Sequence, residues 1–162
     1  MAVTAKWIYT ANQVVTITIA SLANFGLAVS NAIDNSTTGY MSMDLQIQVR
    51  TGATVATGGL FDSAGIGIYL LRTTDGSTSG VFDTVLGPGQ SIVSAATIKA
   101  NNPELLTVIY TPAINTTYRG SARIENLPAI FKFMVYNATG GALNSTGSNH
   151  YIKYASKHLQ VV

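Results

Sequence analysis

The sequence predicts an all-β fold, an antiparallel β-sandwich of jelly-roll type with about nine or ten short strands. Three observations carry that prediction. Residues 41–50 (MSMDLQIQVR) alternate without a break: Met41, Met43, Leu45, Ile47 and Val49 are apolar, and Ser42, Asp44, Gln46, Gln48 and Arg50 are polar. Clusters of turn-forming residues recur about every 8 to 12 positions along the rest of the chain. Helical periodicity is almost absent. An alternation of period two means a strand with one face on a core and one in water; a helix would scatter the same apolar residues around its circumference. Such a strand is not stable alone, so other segments must supply the sheet and a second layer.

Residues 6–10 (KWIYT) form a first strand and 11–13 a turn. Residues 14–19 set Val15, Ile17 and Ile19 against Thr16 and Thr18, the pattern of a β-branched strand. Within 20–29 a single helical turn competes with a break at Gly26 and a second strand, and the glycine favours the strand. Residues 31–40 are turn-rich. Residues 51–65 read as a connection centred on Gly58 and Gly59. Residues 66–72 (IGIYLLR) are apolar on both faces, with Ile66, Ile68 and Leu70 on one and Tyr69 and Leu71 on the other. A strand of that kind must be covered twice, by the core and by a loop or neighbouring subunit.

Residues 73–80 hold the clearest turn signal, Asp75-Gly76, and Gly87-Pro88-Gly89 holds another. Residues 92–100 suit a strand or a short helix. Asn102-Pro103-Glu104 has the form of a helix start, but the β-branched run that follows makes 105–111 a strand. A polar strand over 116–125 carries Arg119 and Arg123. In 130–136 Phe131, Phe133 and Val135 point inward. Residues 137–149 read as an exposed loop and 150–159 as the closing strand. Length and the lack of a linker predict one domain over residues 1–162.

Composition narrows the functional classes. Hydrophobic residues make up 47% of the chain and charged residues only 10%, against roughly 25% charged in an ordinary soluble protein. Neutral polar side chains must therefore do most of the solvation, which permits close packing between copies. The nine Lys and Arg are dispersed and the formal net charge is +2, so no nucleic-acid partner is expected. There is no cysteine, which removes disulfides, thiolate metal sites and a cysteine nucleophile. No apolar run reaches membrane-span length, and residues 1–13 lack a signal peptide's features. Synthesis in the cytoplasm without membrane insertion is the expectation.

No constellation points to catalysis. Gly76-Ser77-Thr78-Ser79-Gly80 has threonine where a nucleophile elbow needs serine. Nothing orders Asp44, His150 and a serine into a triad. Gly65-Ile66-Gly67 lacks the third glycine of a dinucleotide fingerprint. His150 and His158 lie about 26 Å apart along a strand, too far to share an ion. Asp62, Asp75 and Asp83 fit no calcium-loop spacing, and Glu104 and Glu125 give little support to a glycosidase pair. Neither cofactor nor metal is expected, and the chain reads as a non-enzyme. Trp7, Tyr9, Tyr151 and Tyr154, on the terminal strands, either fill the core, the commoner role, or stack on a glycan or a neighbouring subunit. The sequons at Asn35, Asn115, Asn137 and Asn144 are expected by chance in so Ser- and Thr-rich a chain.

Three segments carry a family resemblance: VTITIASLANFGLAVSNAIDNST, DLQIQVRTGA and VYNATGGALNSTGSNHYIKY. Their common elements are Ser21-Leu22-Ala23, Ile33-Asp34-Asn35-Ser36, Asp44-Leu45-Gln46-Ile47, residues 137–143 and Asn149-His150. In that order they resemble a group of small β-sandwich virion structural proteins of tailed bacteriophages. The resemblance covers both ends and the strand at 41–50, but not residues 52–112. It implies a virion component on the head surface or in the tail, with other virion proteins (major capsid or tail proteins) as partners and no catalytic residues. The expected role is capsid decoration or cement through protein–protein contacts, with receptor or glycan binding in a tail fibre as the alternative. By analogy with jelly rolls that decorate capsids, a homo-oligomer, a trimer, is expected. The candidate contact residues are Trp7, Tyr9, Tyr151 and Tyr154 on the terminal strands, and Ile66, Ile68, Tyr69 and Leu71 on the doubly apolar one.

Overall fold

The computed structural model describes residues 5–55, 65–73 and 103–161. Among them are ten strands and a single short 3-10 helix, Gly147–Asn149. The strands are β1 (Ala5–Tyr9), β2 (Gln13–Val14), β3 (Leu27–Val29), β4 (Ile33–Asp34) and β5 (Ser42–Arg50). They continue as β6 (Gly65–Arg72), β7 (Glu104–Tyr110), β8 (Thr117–Glu125), β9 (Ile130–Ala138) and β10 (Tyr151–Val161). Sheet I has the order β1-β10-β5-β8, with β2 also on β10; sheet II has the order β3-β9-β6-β7, with β4 also on β9. Every pairing is antiparallel. Because β1 and β2 share one edge of β10, and β3 and β4 one edge of β9, each sheet is four strands wide. The chain thus alternates between sheets in two nested Greek keys, which is the jelly-roll topology.

Alternation explains the core. On β5, Met43, Leu45, Ile47 and Val49 are at most 2% exposed, and across the sandwich β6 sets Ile66, Ile68 and Leu70 against them, all fully buried. Phe131, Phe133 and Val135 of β9 face inward as expected, with the two phenyl rings edge to face at 5.6 Å. Gly120 marks where the sheets close: a Cβ there would lie 2.8 Å from Cγ1 of Ile109 on β7, so that isoleucine fills the space a β8 side chain would need. The opposite face of β6 is covered too. Leu71, Met134 and Ile130 form a second buried cluster, packed by Leu27, Ala32, Tyr69 and Tyr136.

Two segments depart from expectation. Of the alternating run 14–19 only Val14 pairs as a strand, in Gln13–Val14. The Val15 amide still bonds to Ile152 of sheet I, but the Thr16 carbonyl already accepts from Asn31 beside sheet II. The run crosses between sheets, and its alternation buries Val15 and Ile19 without a partner strand. Residues 137–149 are an exposed loop only in part: 145–148 are exposed, but Asn137, Thr139 and Leu143 are buried. The Asn137 carboxamide donates to the carbonyls of Leu22, Ala23 and Gly141 at 2.8, 3.0 and 2.9 Å. Its oxygen accepts from the Thr139 amide and hydroxyl. The expected turns over 74–80 and 87–89, the segment 92–100, and Asp62, Asp75 and Asp83 lie outside the described residues.

His150 seals the same end. Its Nε2 lies 2.8 Å from the Asn144 carbonyl, and its Nδ1 accepts the Arg50 amide at 3.3 Å, which fixes the neutral Nε2–H tautomer. Burial pushes its pKa below the ordinary 6.5, against a smaller upward pull from the Asn144 hydrogen bond. The folded chain therefore binds fewer protons than the unfolded one below 6.5. Stability is fully present above that value and is lost as pH falls through the lower, folded pKa. Urea melts between pH 7 and 5 will show this decline, and His150→Gln will flatten it. Asn137→Ala removes one donor from each of three carbonyls and leaves the buried Thr139 amide without its acceptor, so it will lower unfolding free energy by about 2–4 kcal/mol in the same assay.

Candidate contact face on the outer side of sheet I

The face of sheet I turned away from the core is built by register. From β10 it takes Tyr151, Lys153, Ala155, Lys157 and Leu159. Opposite them on β5 stand Gln48, Gln46, Asp44 and Ser42, and beyond these on β8 stand Arg119, Ser121, Arg123 and Glu125. On the other flank β1 sets Tyr9 beside Lys157 and Trp7 beside Leu159, and β2 sets Val14 beside Lys153. The apolar members are unusually open: Trp7 is 47% exposed, Tyr9 61%, Val14 65% and Leu159 46%. Isolated exposed apolar residues are ordinary, but Trp7, Tyr9 and Leu159 on adjoining strand positions make a patch, with Val14 further along β10 beside Lys153.

Cations and amides surround that patch. The Lys157 ammonium lies 4.6 Å from the centroid of the Trp7 ring, and Lys153 stands at the same distance over Tyr151. Each lysine thus screens one aromatic face from water. Arg123 grips Asp44 through two hydrogen bonds of 2.6 and 3.0 Å. That hydrogen-bonded guanidinium holds the Asp44 carboxyl below the usual range. Arg119 donates from Nε to Gln48 Oε1 at 3.0 Å, and Gln48 reaches on towards the Asn149 carbonyl. Between Tyr151 and Arg119 lies a depression of about 370 Å3, lined by Gln46, Ile47, Arg119, Gly120, Ser121 and Tyr151.

The expected contact residues are divided by the fold. Trp7, Tyr9 and Tyr151 lie on this face, Trp7 and Tyr9 at one end of β10 and Tyr151 at the other, against the expectation that terminal-strand aromatics fill the core. Tyr154 does pack against the core, being on the inward side of β10, and burial raises its hydroxyl pKa, as it does for Tyr69. Ile66 and Ile68 are fully buried between the sheets, so a contact role for them is corrected: their face is already used by sheet I. Tyr69 and Leu71 belong to the second cluster on the far side of sheet II. Lys153, Lys157, Leu159, Gln46 and Gln48 were not singled out from sequence. The polar positions of 41–50 were visible as one face, but nothing local to them says that β10 lies alongside.

Among the described residues the acids and histidines stand apart. Asp44 is held by Arg123, while His150 is engaged inside by Asn144 and Arg50. Glu104 pairs with Arg72 on sheet II, and Glu125 stands beside Arg123 on sheet I. Among the described residues no three His, Asp or Glu side chains cluster as a metal site would require. What the face offers is recognition: open apolar area, fixed cations and amide hydrogen-bonding groups.

No family model matches the chain, and no curated protein sequence matches it. Solved structures with similar coordinates are β-sandwiches. Murine APRIL at pH 5.0 is 7% identical, with TM-score 0.45, over 88% of this chain and 98% of that one. The CBM35 from Cellvibrio japonicus Abf62 is 10% identical, with TM-score 0.40, over 97% and 96%. CsCBM6-3 from Clostridium stercorarium, solved with cellobiose, is 14% identical, with TM-score 0.32, over 96% and 92%. The chain is a jelly-roll β-sandwich by its own strand order, and these likenesses extend no further than the fold.

Trp7 is the sole tryptophan, so its fluorescence reports on this face alone. Emission will be that of a water-exposed indole and open to acrylamide. Lys157→Ala will raise the quenching constant by uncovering the ring; an unchanged constant would show that the lysine does not screen it.

Proposed function

We propose that the chain is a non-enzymatic structural protein of a tailed-bacteriophage virion, a capsid decoration or cement subunit that docks through the outer face of sheet I. The observation that carries the docking surface is the open patch of Trp7, Tyr9 and Leu159, with Val14 further along β10, among fixed cations. Aromatic and arginine side chains on a rigid sheet are the groups that dominate protein–protein binding. The virion assignment is supported by the sequence resemblance. A subunit that binds only the assembled lattice stabilises that lattice by mass action, and a scaffold without catalytic groupings among its described residues suits that role. The expected homo-oligomer would have to close through other surfaces, since apposing two copies of this face brings like charges together.

A specific observation favours a second reading, glycan binding in a tail fibre. The depression beside Tyr151 combines an aromatic wall with the polar groups of Gln46, Ser121 and Arg119, which suits a hydroxylated ring. Against it, the screened faces of Trp7 and Tyr151 are already engaged by lysines.

Cryo-electron microscopy of particles carrying this chain separates the readings. Regular copies over the shell with β10 towards the capsid, stripped by the double variant Trp7→Ala, Leu159→Glu, are the expected result. Copies only at fibre tips would favour the glycan reading. Absence from the particle would overturn both.

A further inference from the structure

We propose that the depression between Tyr151 and Arg119 is a carboxylate-binding subsite, and that the partner is a protein surface presenting Asp or Glu side chains to it. This rests on the reading of the outer face of sheet I as the docking surface. Three features converge on that chemistry. Arg119 is oriented from behind, because its Nε is tied to Gln48, while its terminal nitrogens have no partner among the described residues. A guanidinium fixed in this way is set for two parallel hydrogen bonds to one carboxylate. Gln46 and Ser121, opposite one another across β5 and β8, line the same depression and make no side-chain hydrogen bond among the described residues. They can donate to the same oxygens. Lys153, beside Gln46 in register, adds a second cation, and no carboxylate lines the depression.

Charge balance on the whole face points the same way. Asp44 and Glu125 are its acids, and both stand at Arg123. Arg119, Lys153 and Lys157 form no ion pair among the described residues, although the charge of Lys157 also acts on Asp44. A second copy is a poor occupant, because its described carboxylates are engaged: Asp34 with Ser36, Glu104 with Arg72, and the other two with Arg123. A nucleic-acid strand needs cations tracking its phosphates and open rings for its bases. Here Asp44 and Glu125 interrupt the cations, and both rings carry a lysine. A glutamate side chain meets neither obstacle, because its one carboxylate needs only Arg119 and no open ring.

The test uses the intact 15N-labelled chain and three probes: a capped octaglutamate peptide, an eight-residue oligothymidylate and cellohexaose. Saturable amide shifts at Gln46, Gly120 and Ser121 with octaglutamate are expected, suppressed by 0.5 M salt. Arg119→Gln, an exposed position whose substitution leaves the remaining spectrum in place, should weaken this binding at least about fivefold. No saturable shift, equal binding by Arg119→Gln, or equal or tighter binding of oligothymidylate or cellohexaose would overturn the proposal. Particle occupancy separates the two levels of inference. If Arg119→Gln still decorates particles while Trp7→Ala, Leu159→Glu does not, the docking face stands and the carboxylate subsite falls.

Discussion

The side chain of Asn137 is the fastening on which the described structure most depends. A jelly roll buries its core only if the chain crosses repeatedly between sheets, and each crossing carries backbone groups that no ladder satisfies. At one end of this sandwich a single buried carboxamide takes up the carbonyls of Leu22, Ala23 and Gly141. The Leu143 amide also bonds to Leu22. The first crossing is thereby clamped to the last, more than a hundred residues away in sequence. Asn35 does the corresponding work elsewhere, joining Tyr40, Thr38 and Pro128. The segments that carry the resemblance are largely these connectors. They specify how the chain turns, and they leave open what the sheet faces bind.

Where one residue's neighbours decide its environment, the sequence was easy to read. Residues 41–50 became β5 because alternation is a local property, and Phe131, Phe133 and Val135 turned inward for the same reason. Alternation alone misled at 14–19, where burial comes from a crossing segment. It also could not tell that Asn137 and Thr139 are interior. Their polarity resembles that of a loop, and only the arrival of Leu22 and Ala23 from the other end of the chain makes burial affordable.

The contact face lay further from view. Trp7 and Tyr9 precede the strand that supports them by about 150 positions, and among the described residues β1 is an edge strand with no second layer over its outer side. Ile66 and Ile68 attracted attention through their apolar neighbours, yet the strand's two coverings are internal to the described structure: the opposite sheet on one side, the Leu71 and Met134 cluster on the other. Sequence pattern shows that a strand is covered twice. It does not show by what.

The position of β10 also sets the order in which this protein can become competent. β10 lies second in sheet I, between β5 and the paired segments β1 and β2, although it is the last strand of the described chain. Until it is made, β1 and β2 have no neighbour and β5 has an open edge. Tyr151, Lys153 and Lys157 do not yet exist beside Trp7. A chain in which β10 has not yet paired therefore lacks the outer face of sheet I. Closing pairs so distant in sequence makes folding slow, and the β5 edge stays unpaired until β10 docks. Docking of β10 is thus the step that brings the aromatic rings and their lysines onto one surface.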